Sequence, residues 1–175
     1  LADPTSAFGG IVAFNSEVDE KTALAVNKTF VEVVIAPKFS AEAFVVLKQK
    51  VNIRLLELTT AFNSQSYDIK KINGGLLVQT PDNEIDLSEK QVTCPTKRKP
   101  NQEEKQNLIF AWQVSKFVKS NAIVFCKNDM TMGVGAGQMS RIDSVKIAAM
   151  KAERSGLRLR DTVVASDAFF PFPDA

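Results

Sequence analysis

Residues 120–141 read SNAIVFCKNDMTMGVGAGQMSR, and the rest of the chain can be placed around them. Asn121 to Cys126 is a short β-prone run. Lys127, Asn128 and Asp129 are the polar break of a hairpin turn, and Met130 to Val134 resumes the strand. Gly133, Gly135 and Gly137 then alternate, which suits either a tight strand-to-helix turn or a backbone approached closely by a ligand. Ser140 and Arg141 open a helix whose apolar positions are Ile142, Val145, Ala148 and Ala149. The first turn of a helix offers unpaired N–H groups and a partial positive charge, so Ser140 and Arg141 stand where an anion can bind. The spacing G-x-G-x-G differs from the dinucleotide fingerprint G-x-G-x-x-G, and the Lys-Ser/Thr of a P-loop is missing. A dinucleotide-dependent oxidoreductase is therefore disfavoured.

Upstream, Gly9-Gly10 precedes the apolar run Ile11–Phe14, as a strand-entry bend or as backbone meant for a ligand. Asp19 to Phe30 has a helical pattern, and Val31–Ala36 (VEVVIA) is a strand closed by Pro37. Glu32 is alone among apolar residues. It faces solvent on the alternate side of the strand, or points into a cleft where a ligand must compensate its charge. Ser40 caps a second helix running to Lys50. Asn52 to Leu58 is a further strand, Thr59 to Tyr67 a polar loop, and Ile69 to Gln79 contains a strand that begins at the Gly74-Gly75 bend. Residues 80–100 are the least regular stretch and the expected connection between subdomains. Asn101 to Lys119 is the clearest helix, with Leu108, Ile109, Trp112, Lys116 and Phe117 at helical spacing and Trp112 read as core. Gly156 ends the helix that began at Ser140. After it, Ser166-Asp167-Ala168-Phe169-Phe170-Pro171-Phe172 is either a packed aromatic corner or the wall of a pocket for a flat ring, with Asp167 and Asp174 as its polar points. Alternating helices and strands predict an α/β fold.

Composition narrows the function. A net charge of +2 gives no basis for a nucleic-acid groove or a membrane surface. The densest basic run, Lys97-Arg98-Lys99, lies between prolines and reads as a solvated loop. Two cysteines, Cys94 and Cys126, make neither a disulfide framework nor a metal spacing, so a reducing, cytoplasmic setting is expected. No apolar run approaches the ~20 residues of a membrane span, and no signal peptide is visible. With no histidine in the sequence, none can serve here as acid, base or ligand. The chain starts at Leu1 and stops at Asp174-Ala175, as a piece of a longer polypeptide would.

Six segments in order resemble the transformylase region of the bifunctional purine-biosynthesis family PurH. They are DPTSAFGG (3–10), FVEVVIAP (30–37), INGGLLVQ (72–79), FVKSNAIVFCKN (117–128), GVGAGQMSR (133–141) and SDAFFPF (166–172). The resemblance implies AICAR formyltransferase activity, in which 10-formyltetrahydrofolate gives its formyl group to the 5-amino group of AICAR. It implies a cytidine-deaminase-like layered fold without zinc, and an intertwined homodimer with sites at the interface. Position by position, Gly9 lies against AICAR and Glu32 contacts the nucleotide, at its ribose hydroxyls. Asn121 serves the reacting amine and the formyl oxygen, Arg141 holds the nucleotide, and Phe169 meets its ring. Ile142 and Asp174 face the folate, and Asp167 with Ser120 resembles a monovalent-cation site, for potassium. Pro173 stands where some members carry arginine. The family's catalytic Lys-His pair, in a KH-x-NP-x-G motif, and its IMP cyclohydrolase domain are not among these residues. The 175-residue chain is therefore expected to be inactive alone. The competing expectation is a non-catalytic folding or dimerisation module, in which the glycines and phenylalanines are structural.

Overall fold

Three helices begin on caps already written in the sequence. The structure, a computed structural model, describes residues 6–59, 67–82 and 92–170. It divides into two compact units, Asp3–Asn83 and Glu84–Ala175, taken here in turn.

In the first unit the order is β1 (Gly10–Ala13), α1 (Glu20–Asn27), β2 (Val31–Ala36), α2 (Ala41–Leu47) and β3 (Arg54–Glu57). Asp19 caps α1 by accepting from Thr22 N at 2.8 Å. Ser40 caps α2 through its Oγ, which accepts from Ala43 N at 3.1 Å. Each cap satisfies an N–H that the helix leaves unpaired. The three strands are parallel in the order β1-β2-β3. The helices pack on each other and enclose one core with the sheet: Val18, Ala23, Ala36, Ala43, Val46 and Leu47. Asn27 Nδ2 donates to Val46 O at 2.8 Å and Lys50 Nζ to Thr29 O at 2.8 Å, tying the end of α1 to α2. Alternation along the strands sends Ile11, Val33, Ile35 and Leu56 to the other sheet face, where Ile11 keeps 67% of its surface exposed.

The same unit holds a hairpin, β4 (Asp68–Ile72) and β5 (Gly75–Gln79), antiparallel from Asp68↔Gln79 to Ile72↔Gly75. The sequence reading expected one strand starting at Gly74-Gly75. The bend is instead the two-residue Asn73-Gly74 turn, with Gly74 at φ +83°, and the residues before it form a strand of their own. All ten strand residues are exposed.

The second unit runs α3 (Gln102–Lys116), β6 (Ile123–Lys127), β7 (Met130–Gly135), α4 (Arg141–Arg154) and β8 (Val163–Ser166). Asn101 and Glu104 form a reciprocal capping box at the start of α3. The strands form an antiparallel sheet in the order β7-β6-β8. Val124 and Cys126 pack with Ala111 of α3, while Gly133 and Gly135 of β7 lie against α4. The sheet is thus sandwiched, and Ile123, Val124 and Cys126 are fully buried. α4 ends in a Schellman arrangement: Gly156 N donates to Glu153 O and Leu157 N to Ala152 O, both at 2.9 Å.

Apart from Ala148, the buried residues of α3 and α4 differ from the apolar residues named from the sequence. α3 buries Asn107, Ala111 and Ser115, and α4 buries Ser144, Ala148 and Ala152. Trp112 is only half-buried, and Phe117 is 79% exposed. Small residues win these positions because the helices lie close to the sheet. A Cβ added at Gly135 would sit 1.9 Å from Ser144 O, and one at Gly133 2.4 Å from Ala148 O. Both glycines therefore belong to a strand under a helix, not to a ligand loop. Gly135→Ala is expected to destabilise the protein by about 2–3 kcal/mol, because backbone must move to admit the methyl group. Gly75→Ala, which meets nothing within 4 Å, should change stability by less than about 0.5 kcal/mol. Chemical denaturation of the two variants makes the comparison.

Candidate functional site

The candidate residues fall into a group within each unit. In the first, Gly9 sits at the entry to β1 with φ +74°, a conformation that favours a residue without Cβ. Its N–H donates to Phe30 O at 2.8 Å, and the Phe8 and Phe30 rings lie 5.1 Å apart. A Cβ on Gly9 would come within 3.9 Å of Glu32 Oε1, so the bare backbone leaves the carboxylate open to approach. Glu32 lines a cavity of about 420 Å³ with Phe30, Val51, Asn52, Ile53 and Arg54. Glu32 is exposed at the start of β2, on the side of the strand that Val34 and Ala36 bury further along. Among the described residues neither its carboxylate nor the Arg54 guanidinium has a hydrogen-bond or ion-pair partner. Arg54 and Asn52 escaped the sequence reading. Only the parallel register, Val33↔Arg54, brings the start of β3 beside Glu32.

In the second unit the structure joins residues far apart in sequence. Arg141, the first residue of α4, donates from Nη1 to Ser166 Oγ at 2.7 Å and to Asp167 Oδ1 at 2.5 Å. Its Nη2 donates to Asn121 Oδ1 at 2.7 Å. Asn121 Nδ2 donates to Gln138 O at 2.8 Å. The same Asp167 oxygen accepts from Ala122 N at 2.9 Å, and Ser144 Oγ donates to Asn121 O at 2.7 Å. The Ser120–Asn121 peptide is cis. Ser166 Oγ in turn donates to Ala168 O at 2.7 Å.

This network has a defined remainder. A guanidinium carries five N–H donors and a carboxamide two. The bonds above use three of Arg141's and one of Asn121's, leaving two and one without a partner among the described residues. Ser140 makes no side-chain cap bond on α4, so it takes up none of the first-turn N–H groups beside Arg141. Ile142 follows on the first turn and is half-buried. Phe169 is 80% and Phe170 41% exposed, so neither packs into an aromatic corner with the described residues. Asp174, with Pro171 to Ala175, lies outside the described residues. Ser144, Ser166 and Gln138 were not singled out from the sequence. Ser166 stands inside the quoted SDAFFPF segment, but Ser144 gives no signal, being a polar residue on the inner face of α4.

Electrostatics follow the geometry. Burial pushes the Asp167 carboxyl up, but the Ser120 hydroxyl, the Ala122 N–H and the Arg141 guanidinium outweigh it and hold the group at about 2. Its side chain is 23% and Arg141's 13% exposed, so the pair is sheltered from full solvent screening. Cys126 is different: burial, with help from the Asp129 charge, pushes its thiol up to about 11, as for a packing residue and not a nucleophile. No cluster of three or more His, Cys, Asp or Glu suitable for a metal occurs among the described residues.

A carboxyl depressed from the usual value stabilises the fold above its unfolded pKa of 3.8 and loses that contribution as pH falls through about 2. Lowering the pH from 5 to 2 should therefore remove on the order of 1–2 kcal/mol that Asp167→Asn lacks at every pH. Parallel denaturation curves of the two proteins across that range check it; curves that stay parallel would contradict it.

Comparison with known families bears on the same residues. The family model described as the AICARFT/IMPCHase bienzyme matches residues 1–151. That span includes Gly9, Glu32, Asn121, Arg141 and Ile142, while Asp167, Phe169 and Asp174 lie beyond it. With most of its length matched, the chain belongs to the AICARFT/IMPCHase bienzyme family, enzymes of purine biosynthesis.

Proposed function

We propose that this chain supplies part of a formyl-transfer site, in which 10-formyltetrahydrofolate formylates the 5-amino group of AICAR. The proposed scaffold is the cytidine-deaminase-like α/β type without zinc, working as a cytoplasmic homodimer with sites at the subunit interface. The observation that carries this reading is the Asn121–Arg141 pair, fixed to each other at 2.7 Å with unspent donors on both.

The chemistry asks for such a pair. The amine attacks the formyl carbon, a C–N bond forms, and the carbonyl oxygen becomes a tetrahedral oxyanion. The bond to folate N10 then breaks, and the amine's proton must pass to a base. The amine is a weak nucleophile, being conjugated with the imidazole and its carboxamide, so positioning and oxyanion stabilisation matter. Asn121 Nδ2 has one N–H to offer that oxygen. Arg141 has two for an anionic or carbonyl group of the nucleotide. Glu32, open beside Gly9, is suited to accept from ribose hydroxyls, and Phe169 to lie on the AICAR ring. Ile142 and Asp174 are proposed on the folate side. By resemblance the proton goes to a Lys-His pair. The sequence contains no histidine, so turnover by the 175-residue chain alone is not expected.

Potassium at Ser120 and Asp167 belongs to the same proposal. Both are oxygen donors of the kind a hard cation takes. Asp167 already faces the Arg141 guanidinium, however, and two such oxygens do not by themselves make a cation site. No step here runs through an ion.

The module reading also has an observation behind it: Gly133 and Gly135 serve helix packing, and Asn121 and Arg141 partly satisfy each other. Glu32→Ala and Asn121→Ala in the full-length protein separate the two. A formyl-transfer site loses on the order of 100-fold in kcat/KM with Tm nearly unchanged. A module loses stability in proportion to any activity change. Calorimetric titration of the 175-residue chain with AICAR, with and without a folate analogue, adds a direct measure. Micromolar binding supports a preassembled site, and absence of binding supports a scaffold.

A further inference from the structure

We propose that Asp167 is a positioning residue whose carboxylate clamps the Arg141 guanidinium and the backbone at Asn121 into the one geometry that presents their free donors to the nucleotide. The inference rests on the formyl-transfer reading and extends it to a residue whose expected role, by resemblance, was that of an ion ligand.

The geometry carries it. Asp167 Oδ1 meets Arg141 Nη1 at 2.5 Å and Ala122 N at 2.9 Å. Ala122 follows Asn121 directly. One side chain on β8's exit thus holds the backbone next to Asn121 and the arginine bonded to Asn121's carboxamide. Strand pairing makes the anchor firm. Ile123↔Ser166 is the last register pair of β6 with β8, and Asp167 N donates to Ala122 O at 3.4 Å beyond it. Without the carboxylate, Arg141 would keep its bonds to Ser166 and Asn121 but lose its only counter-ion among the described residues. A long flexible side chain so released pays rotamer entropy each time it meets a ligand. The clamp removes that cost beforehand, and it does so on the nucleotide side, since Ile142, the folate-side residue among the described ones, has no hydrogen bond to it.

The test uses full-length protein and steady-state kinetics with each substrate varied. Asp167→Asn keeps an acceptor for Ala122 N but removes the charge. It is expected to raise the KM for AICAR about tenfold while the KM for the folate stays within about twofold, the size of one charge-assisted hydrogen bond confined to one substrate. In an Arg141→Ala background the same change should add almost nothing, since the two act as one unit. Asp167→Glu should recover part of the affinity. A loss of Tm with an unaltered AICAR KM overturns the proposal, as does an additive double mutant. If withdrawing potassium from the wild type reproduces the Asp167→Asn profile, the carboxylate serves an ion and the clamp is wrong. A wild-type protein that neither binds AICAR nor transfers formyl refutes the functional reading itself, and the clamp falls with it.

Discussion

The second unit depends on an absence of atoms. Gly135 has no Cβ, and the space one would occupy is filled by the Ser144 carbonyl of α4. A helix this close to a strand needs small residues on its inner face, which is why Ser144, Ala148 and Ala152 recur at four-residue intervals. The closeness also sets the chemistry. With α4 pressed on β7, Ser144 Oγ reaches Asn121 O and Arg141, one turn before, reaches Asn121 Oδ1. Packing and site are therefore one constraint. A larger residue at position 135 would lift the helix carrying Arg141 away from the strand that follows Asn121.

This constraint also explains what the sequence made legible. Local signals were reliable. The Ser40 cap, the helix start at Asn101, the Asp129-to-Met130 resumption of strand, VEVVIA as β2 and Gly156 as the helix stop each act within a few residues. The inner face of α3 was misjudged, and that of α4 was found only at Ala148, because size, not hydrophobicity, governs a helix laid on a sheet. Leu108, Ile109 and Trp112 drew attention that Asn107, Ala111 and Ser115 deserved by burial. The β4–β5 hairpin is half-legible, since the bend read at Gly74-Gly75 is one residue late: the turn is Asn73-Gly74 and Gly75 already belongs to β5.

The site was legible as names and not as a network. Asn121, Arg141 and Asp167 are separated by 20 and 26 residues, and no pattern in the chain says that one guanidinium joins the other two. Arg54 shows the same limit in the first unit, where register alone sets it beside Glu32. What the sequence did carry was residue type: a carboxamide at a strand start, an arginine at a helix start and an aspartate at a strand end. Those are places where backbone hydrogen bonding ends and side chains take over.

The two groups of residues divide the electrostatic work differently. Arg141 is sheltered, paired and three-fifths spent, so its remaining donors are aimed and cost little to reorganise when a ligand arrives. Glu32 and Arg54 are open and unpaired among the described residues, and their charges are screened by water until something displaces it. A fixed donor set suits a position where charge develops during reaction, because it stabilises the new charge without first having to move. An open carboxylate suits neutral hydroxyls, which gain from hydrogen bonds but do not demand a preformed counter-charge. The difference in preorganisation between the groups matches the proposed roles, in which Asn121 serves the reacting amine and formyl oxygen, Arg141 holds the nucleotide and Glu32 accepts from ribose hydroxyls.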